Sequence, residues 1–363
     1  MRDINDMRQV WDASSEAKEP LVLCTLVKTE GSFYRKPGAR MVVTQAGISA
    51  GMISGGCIEN DLKERALKTL DLGTPSLVHL DLTGDDEIYL GFGTGCPGKI
   101  WVFMEPIFTH VEPQERDIML GLVSAQIDRC ALIYAAPKNP EWVGRRITSS
   151  STDAGLADLP CELHAVIQNS LHAPALSAVS YASNDSSVSM FASFFTETLK
   201  SPLDFHLFGA GPDAQALYEV ATTLGWRISV YDHRSGLLSR ERFPDAWSLR
   251  LSTYEEEWEA PTLGPRSACV VMTHNLPRDL MLLPKLLRQP VPYIGVLGAQ
   301  KRGSMIKNAL LQDSGFYDRD LKRLYTPCGL DLGAQDPWSI GLSIIAEIQA
   351  TLNQCSGQPL SSR

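Results

Sequence analysis

Apolar positions in this chain come in short runs cut by glycine turns, and their spacing switches between two periods. Residues 21–27 (L-V-L-C-T-L-V) form a run of strand length that is apolar but for Thr25, and residues 39–44 (A-R-M-V-V-T) predict a second strand. Ile58, Leu62, Ala66 and Leu70 then recur at helical spacing, with Asp61, Lys63, Glu64 and Lys68 on the other face. Residues 76–80 and 100–104 predict two more strands. A fainter version of the same plan follows. It has a strand at 130–135, a Gly144-Arg145-Arg146 loop, an Ala154-Gly155 turn, a helix over 162–171 and a strand at 176–181. The shared order of strand, Gly-x-Arg loop, turn, helix and strand predicts a diverged internal duplication.

Past Lys200-Ser201-Pro202 strand and helix alternate. Strands are expected at 205–208, 227–231, 268–272 and 293–297, with a helix running to Leu224. A last helix is expected to start with Asp336 as N-cap and Pro337 in the first helical position. Such alternation predicts a parallel, doubly wound sheet. The expected fold class is α/β. An N-terminal α+β region covers residues 1–200, divided as 1–110 and 111–200, and a Rossmann-like C-terminal domain covers 201–363.

Composition narrows the functions. The 363 residues carry a net charge of −9 with a pI near 5.3, which argues against non-specific binding to nucleic acid or to an anionic membrane surface. No apolar stretch reaches the roughly 20 residues of a membrane-spanning helix, and residues 1–10 are charged, so a cytoplasmic protein is expected. The eight cysteines are scattered, with no C-x-x-C pair, and give neither a zinc signature nor a disulfide framework.

The chemistry concentrates at glycine turns. Ile53-Ser54-Gly55-Gly56-Cys57-Ile58-Glu59 sits between a strand and a helix, where backbone can approach a ligand and the free N–H groups of the helix point outward. A thiol there feels the positive end of the helix. The same residues also fit a tight turn beside a small core cysteine. Arg35, Lys36 and Arg40 precede it in a basic loop, and a second glycine loop holds Gly95 and Cys96. Backbone donors with cations suit a phosphorylated anion, and thiols suit a soft metal or a transferable sulfur.

In the C-terminal half, Gly209-Ala210-Gly211-Pro212-Asp213-Ala214 fits the dinucleotide turn G-x-G-x-x-A, and Asp232 ends the next strand, where an acid binds ribose hydroxyls. Arg234 keeps a 2′-phosphate possible, so the cofactor of such a site is NAD(P). His274 follows a later strand as a candidate acid or base.

Together these blocks resemble the XdhC/CoxI family, accessory proteins of xanthine dehydrogenase and related molybdenum enzymes. The resemblance rests on E-G-S-F-Y-R-K-P-G-A-R-M (30–41), I-S-G-G-C-I-E (53–59), G-T-G-C-P-G-K-I (93–100), Glu105-Pro106, G-A-G-P-D-A, Y-D-H-R (231–234), M-T-H-N (272–275), G-L-D-L-G-A (329–334) and S-I-I-A-E-I (343–348). Phe33-Tyr34 stands where a small residue is commoner, Pro97 where glycine is, and Trp338-Ser339 where acids are usual.

The resemblance implies a protein that binds molybdenum cofactor (molybdopterin), protects it and helps deliver its sulfurated form, working with a cysteine desulfurase and a xanthine dehydrogenase-type client, as a homodimer or larger assembly. It implies Cys57 as the thiol near molybdenum, with Cys96 second. Ser54, Gly55, Gly56, Gly95, Arg35 and Arg40 would lie around the pterin or its phosphate. The competing expectations are an NAD(P)-dependent oxidoreductase using Gly209, Gly211, Asp232 and His274, and a docking scaffold with no ligand of its own.

Overall fold

The computed structural model describes residues 2–82, 98–108, 110–122, 128–149, 159–173, 177–182, 191–199, 202–253, 259–313 and 315–362. The chain divides into two compact units, Asp3–Ser201 and Pro202–Arg363, the second also taking residues 1 and 2.

The first unit holds two antiparallel sheets. The leading segment contains α1 (Arg2–Ala17), β1 (Leu21–Gly31), β2 (Arg40–Thr44), β3 (Ser49–Gly51), α2 (Glu59–Leu72), β4 (Ser76–Asp81) and β5 (Gly98–Ile107). Its strands form one sheet in the order β3-β2-β1-β5-β4. Residues 21–27 are apolar except for Thr25, and all are buried because β1 is covered on both faces. One face lies under α2, where Leu62, Ala66 and Leu70 meet Val22, Cys24, Leu26, Val102 and Met104. Side chains of the other face, Leu21 and Leu23, pack with Met7 and Trp11 of α1.

The second segment adds α3 (Pro113–Met119), β6 (Asp128–Ala135), β7 (Arg146–Thr148), α4 (Cys161–His172), β8 (Ser177–Ala182) and β9 (Phe191–Leu199). Its sheet runs β7-β6-β9-β8. Val27 and Phe103 of the first sheet cluster with Leu132, Tyr134 and Phe195 of the second, so the sheets share an apolar seam.

The C-terminal unit is a parallel six-stranded sheet: β10 (Asp204–Phe208), β11 (Arg227–Asp232), β12 (Ser248–Leu251), β13 (Ser267–Val271), β14 (Tyr293–Val296) and β15 (Leu324–Tyr325). The order is β12-β11-β10-β13-β14-β15, the doubly wound Rossmann arrangement. Helices α5 (Pro212–Thr222) and α8 (Pro337–Leu352) cover one face, and α6 (Leu276–Leu287) and α7 (Gln300–Asp313) the other. Asp336 caps α8 by accepting hydrogen bonds from the N–H groups of Trp338 (3.0 Å) and Ser339 (3.1 Å), with Pro337 in the first turn, as its sequence predicts.

Among the described residues, no helix is long and apolar enough to cross a membrane, and no group of three His, Cys, Asp or Glu side chains is placed to hold a metal ion.

Candidate functional site

The turn before α2 is built around Ser54. Its amide and hydroxyl donate to the two oxygens of Glu59, at 2.7 and 2.6 Å, while the hydroxyl accepts from the N–H groups of Gly56 (3.3 Å) and Ile58 (3.4 Å). Burial alone would raise the Glu59 carboxyl, but the hydrogen bonds from Ser54 outweigh it and hold that pKa below the usual carboxylate value. Ser54 and Ile58 are buried, whereas Gly55, Gly56 and Cys57 face solvent. Gly56 has φ +108, and a Cβ there would meet nothing within 4 Å. The result is a braced turn that exposes a thiol and two glycines.

The cysteines separate into two chemical kinds. Burial pushes the thiol of Cys24 up to about 12, and it does the same at Cys328 with the Glu347 charge adding to it. Cys269 rises for the same reason, burial. Such thiols stay protonated and inert. Among the described cysteines, Cys57, Cys161 and Cys355 are exposed. Gly95 and Cys96 lie outside the described residues.

The basic loop does not behave as one patch. Arg35 is half-buried and pairs with Asp3 at 2.7 Å. Its neighbour Tyr34 is 75% exposed, and the edge of its ring comes within 3.8 Å of the place a Cβ on Gly55 would take. In the sequence Phe33-Tyr34 stands out only as a departure from the family pattern, and that departure is the available signal for an aromatic beside the turn.

Arg40, expected to face a ligand, turns inward. Its guanidinium is buried against Glu197, and donates to the carbonyls of Met119 (2.7 Å) and Gly38 (2.8 Å). The physical reason is a carboxylate 157 residues away in sequence. No local pattern announces such a partner.

In the C-terminal unit Gly209 must be glycine. Its φ is +122, and a Cβ would collide with the carbonyl oxygen of Met272. Gly211 is open, with nothing within 4 Å of where a Cβ would stand, and it precedes α5 without a side-chain cap. Asp232, expected to meet ribose hydroxyls, is instead 1% exposed. It accepts from the N–H groups of Ala210 (2.7 Å) and Arg234 (2.8 Å) and from the Arg234 guanidinium (2.9 Å to each oxygen). Burial would raise its carboxyl, and these hydrogen bonds bring it below the usual value. The acid therefore ties the glycine turn to β11. His274 has φ +54, is exposed, and places Nε2 3.4 Å from Asp213. Nothing in the sequence singles out Asp213 beyond its place in the motif.

These features define a two-unit protein whose C-terminal unit is Rossmann-type and whose N-terminal unit carries an exposed thiol turn. The profile of the XdhC and CoxI family matches residues 14–81, and that of the XdhC Rossmann domain matches residues 205–348. A probable xanthine dehydrogenase subunit from Bacillus subtilis (strain 168) is 30% identical over 348 residues, covering 96% of this chain and 98% of that protein. The molybdenum cofactor insertion chaperone PaoD of Escherichia coli (strain K12) is 25% identical over 331 residues, covering 90% of this chain and 82% of that one. A crystal structure described as a xanthine dehydrogenase from Bacillus halodurans shares the fold, with TM-score 0.71 and 24% identity over 99% of this chain and 98% of the other. The chain belongs to the XdhC/CoxI family.

Proposed function

We propose that this protein binds the molybdenum cofactor and passes it to a xanthine dehydrogenase-type enzyme. The observation that carries the reading is the exposed Cys57 on a turn whose shape is fixed by the Ser54–Glu59 hydrogen bonds. Family membership and the 25% identity to a molybdenum cofactor insertion chaperone support the choice of cargo. The exposed thiol supplies a soft ligand of the kind molybdenum or its terminal sulfur takes. Gly55 and Gly56, exposed and without side chains, leave room for the cofactor's phosphate or pterin to approach the backbone. Tyr34 offers a flat face next to them, and Arg35 is the nearby cation; Arg40 is not part of the set. Cys96 and Gly95, which lie outside the described residues, are included in the proposal as further contacts. Sulfuration of the cargo with a cysteine desulfurase, and action as a homodimer in the cytoplasm, belong to the same proposal.

The test is a titration of the purified protein with molybdenum cofactor and, separately, with NAD(H). Wild type is expected to retain the cofactor through gel filtration and Cys57→Ser to lose it. Tight NAD(H) binding with turnover, together with indifference to molybdenum cofactor, would remove the proposal. The oxidoreductase reading is weaker because Asp232, its ribose ligand, has both oxygens occupied by Ala210 and Arg234.

A further inference from the structure

The two sheets of the N-terminal unit repeat one another at the level of single residues. Leaving out the short β3, the strand orders β2-β1-β5-β4 and β7-β6-β9-β8 are the same, and every pairing is antiparallel. Thr25 lies opposite Arg40 on one side and Phe103 on the other; Leu132 lies opposite Arg146 and Phe195. Two residues earlier, Leu23 faces Glu105 and Cys130 faces Glu197. The register breaks in both copies just beyond, between Leu26 and Lys28 and between Ile133 and Ala135, leaving Val27 and Tyr134 as the bulged residues. The helices agree too. Ile58, Leu62, Ala66 and Leu70 are buried along one, and Leu159, Leu163, Ile167 and Leu171 along the other.

The contacts between the copies are reciprocal. Arg40 of the first pairs with Glu197 of the second, and Arg146 of the second pairs with Glu105 of the first, at 2.8 and 3.1 Å. Each arginine also donates to the carbonyl of the glycine two residues before it, Gly38 at 2.8 Å and Gly144 at 3.1 Å. Both glycines are left-handed, with φ +95 and +90. A Cβ on either would press on the glutamate of the other copy, 3.4 Å from Glu197 and 3.0 Å from Glu105. The apolar seam contains both bulged residues and both equivalent phenylalanines, Phe103 and Phe195. Contact of i with j matched by contact of j with i is the property of an isologous interface.

We infer that residues 21–107 and 128–199 are two copies of one fold unit, paired about a pseudo-two-fold axis through a surface shaped to receive a second copy of that unit. The surface partner is thus supplied in cis. The copies have parted at the ligand turn: the first reads Ser54-Gly55-Gly56-Cys57 ahead of Ile58, and the second reads Gly155-Leu156-Ala157-Asp158 ahead of Leu159. The Ser-Gly-Gly-Cys sequence thus stands before the helix of the first copy and not before that of the second. The inference stands whatever that turn binds.

The test is made in the full chain by exchanging the two bulged residues. Val27→Tyr alone overpacks the seam and Tyr134→Val alone leaves a void, and each is expected to lower the midpoint of thermal unfolding. The exchange Val27→Tyr with Tyr134→Val rotates the pair about the axis, and is expected to recover at least half of the summed loss. If a single variant fails to fold, folding of the double variant is the recovery. Recovery of less than half, or a double variant that does not fold, overturns the inference.

Discussion

Ser54 shows how one small side chain can organise a functional turn. It accepts from two N–H groups and donates to Glu59, so Ser54→Ala strips the hydroxyl from all three contacts. The change is expected to cost about 1–3 kcal/mol and to loosen the turn, seen as lower melting temperature and faster hydrogen exchange at Gly56 and Ile58. Glu59 adds a pH dependence. Its folded pKa lies below the unfolded value of about 4.3, so it stabilises above that value and the contribution disappears as pH falls through the folded pKa. Glu59→Gln should flatten the acid limb of stability below about pH 5; an unchanged limb would exclude the role. Thiol chemistry is equally specific. A thiol reagent added to native protein should label Cys57, Cys161 and Cys355 rapidly, and Cys24 and Cys269 only on unfolding. Mass spectrometry of the labelled peptides decides the matter, and rapid labelling of Cys24 would contradict the buried core.

Among the elements, the strand-turn-helix around Cys57 is legible in the sequence because three local signals agree: an apolar β-branched run, two glycines and a helical period. The alternating half is legible for the same reason, and Asp336-Pro337 marks its last helix outright. Other elements escape. α1 (Arg2–Ala17) is charged over most of its surface and buries only Met7, Trp11 and Ser14, so its charge reads as an argument about targeting and hides its period. β9 begins at Phe191, straight after a polar stretch, and its apolar residues read only as the end of a turn. Arg40 and Asp232 are misplaced by sequence because chemistry that suits a ligand also suits a structural partner. Which of the two is present depends for Arg40 on the distant Glu197, and for Asp232 on Ala210 together with the neighbouring Arg234. Arg40→Met is expected to cost about 3–5 kcal/mol, mostly from leaving Glu197 buried without its counterion, and Glu197→Gln in that background should restore part of it. An isolated Arg40→Met as stable as wild type in urea would show that the carboxylate is not buried in solution.

At the scale of the whole molecule, the two units hold separate cores, and Pro202 begins the second. Residues 3–201 and 202–363, expressed separately, are each expected to retain a cooperative melt. Loss of cooperativity in both fragments would show that neither core suffices alone. The pairing of the sheets also bears on how the protein is made. Arg40 lies in β2, and its carbonyl accepts the amide of Met52 just ahead of the thiol turn. Its carboxylate partner, Glu197, leaves the ribosome 157 residues later. During synthesis β2 therefore waits, its arginine without its carboxylate, until almost the whole unit has emerged. A chain released before residue 197 would carry that arginine without its counterion and is expected to hold β2 less firmly than the complete unit does.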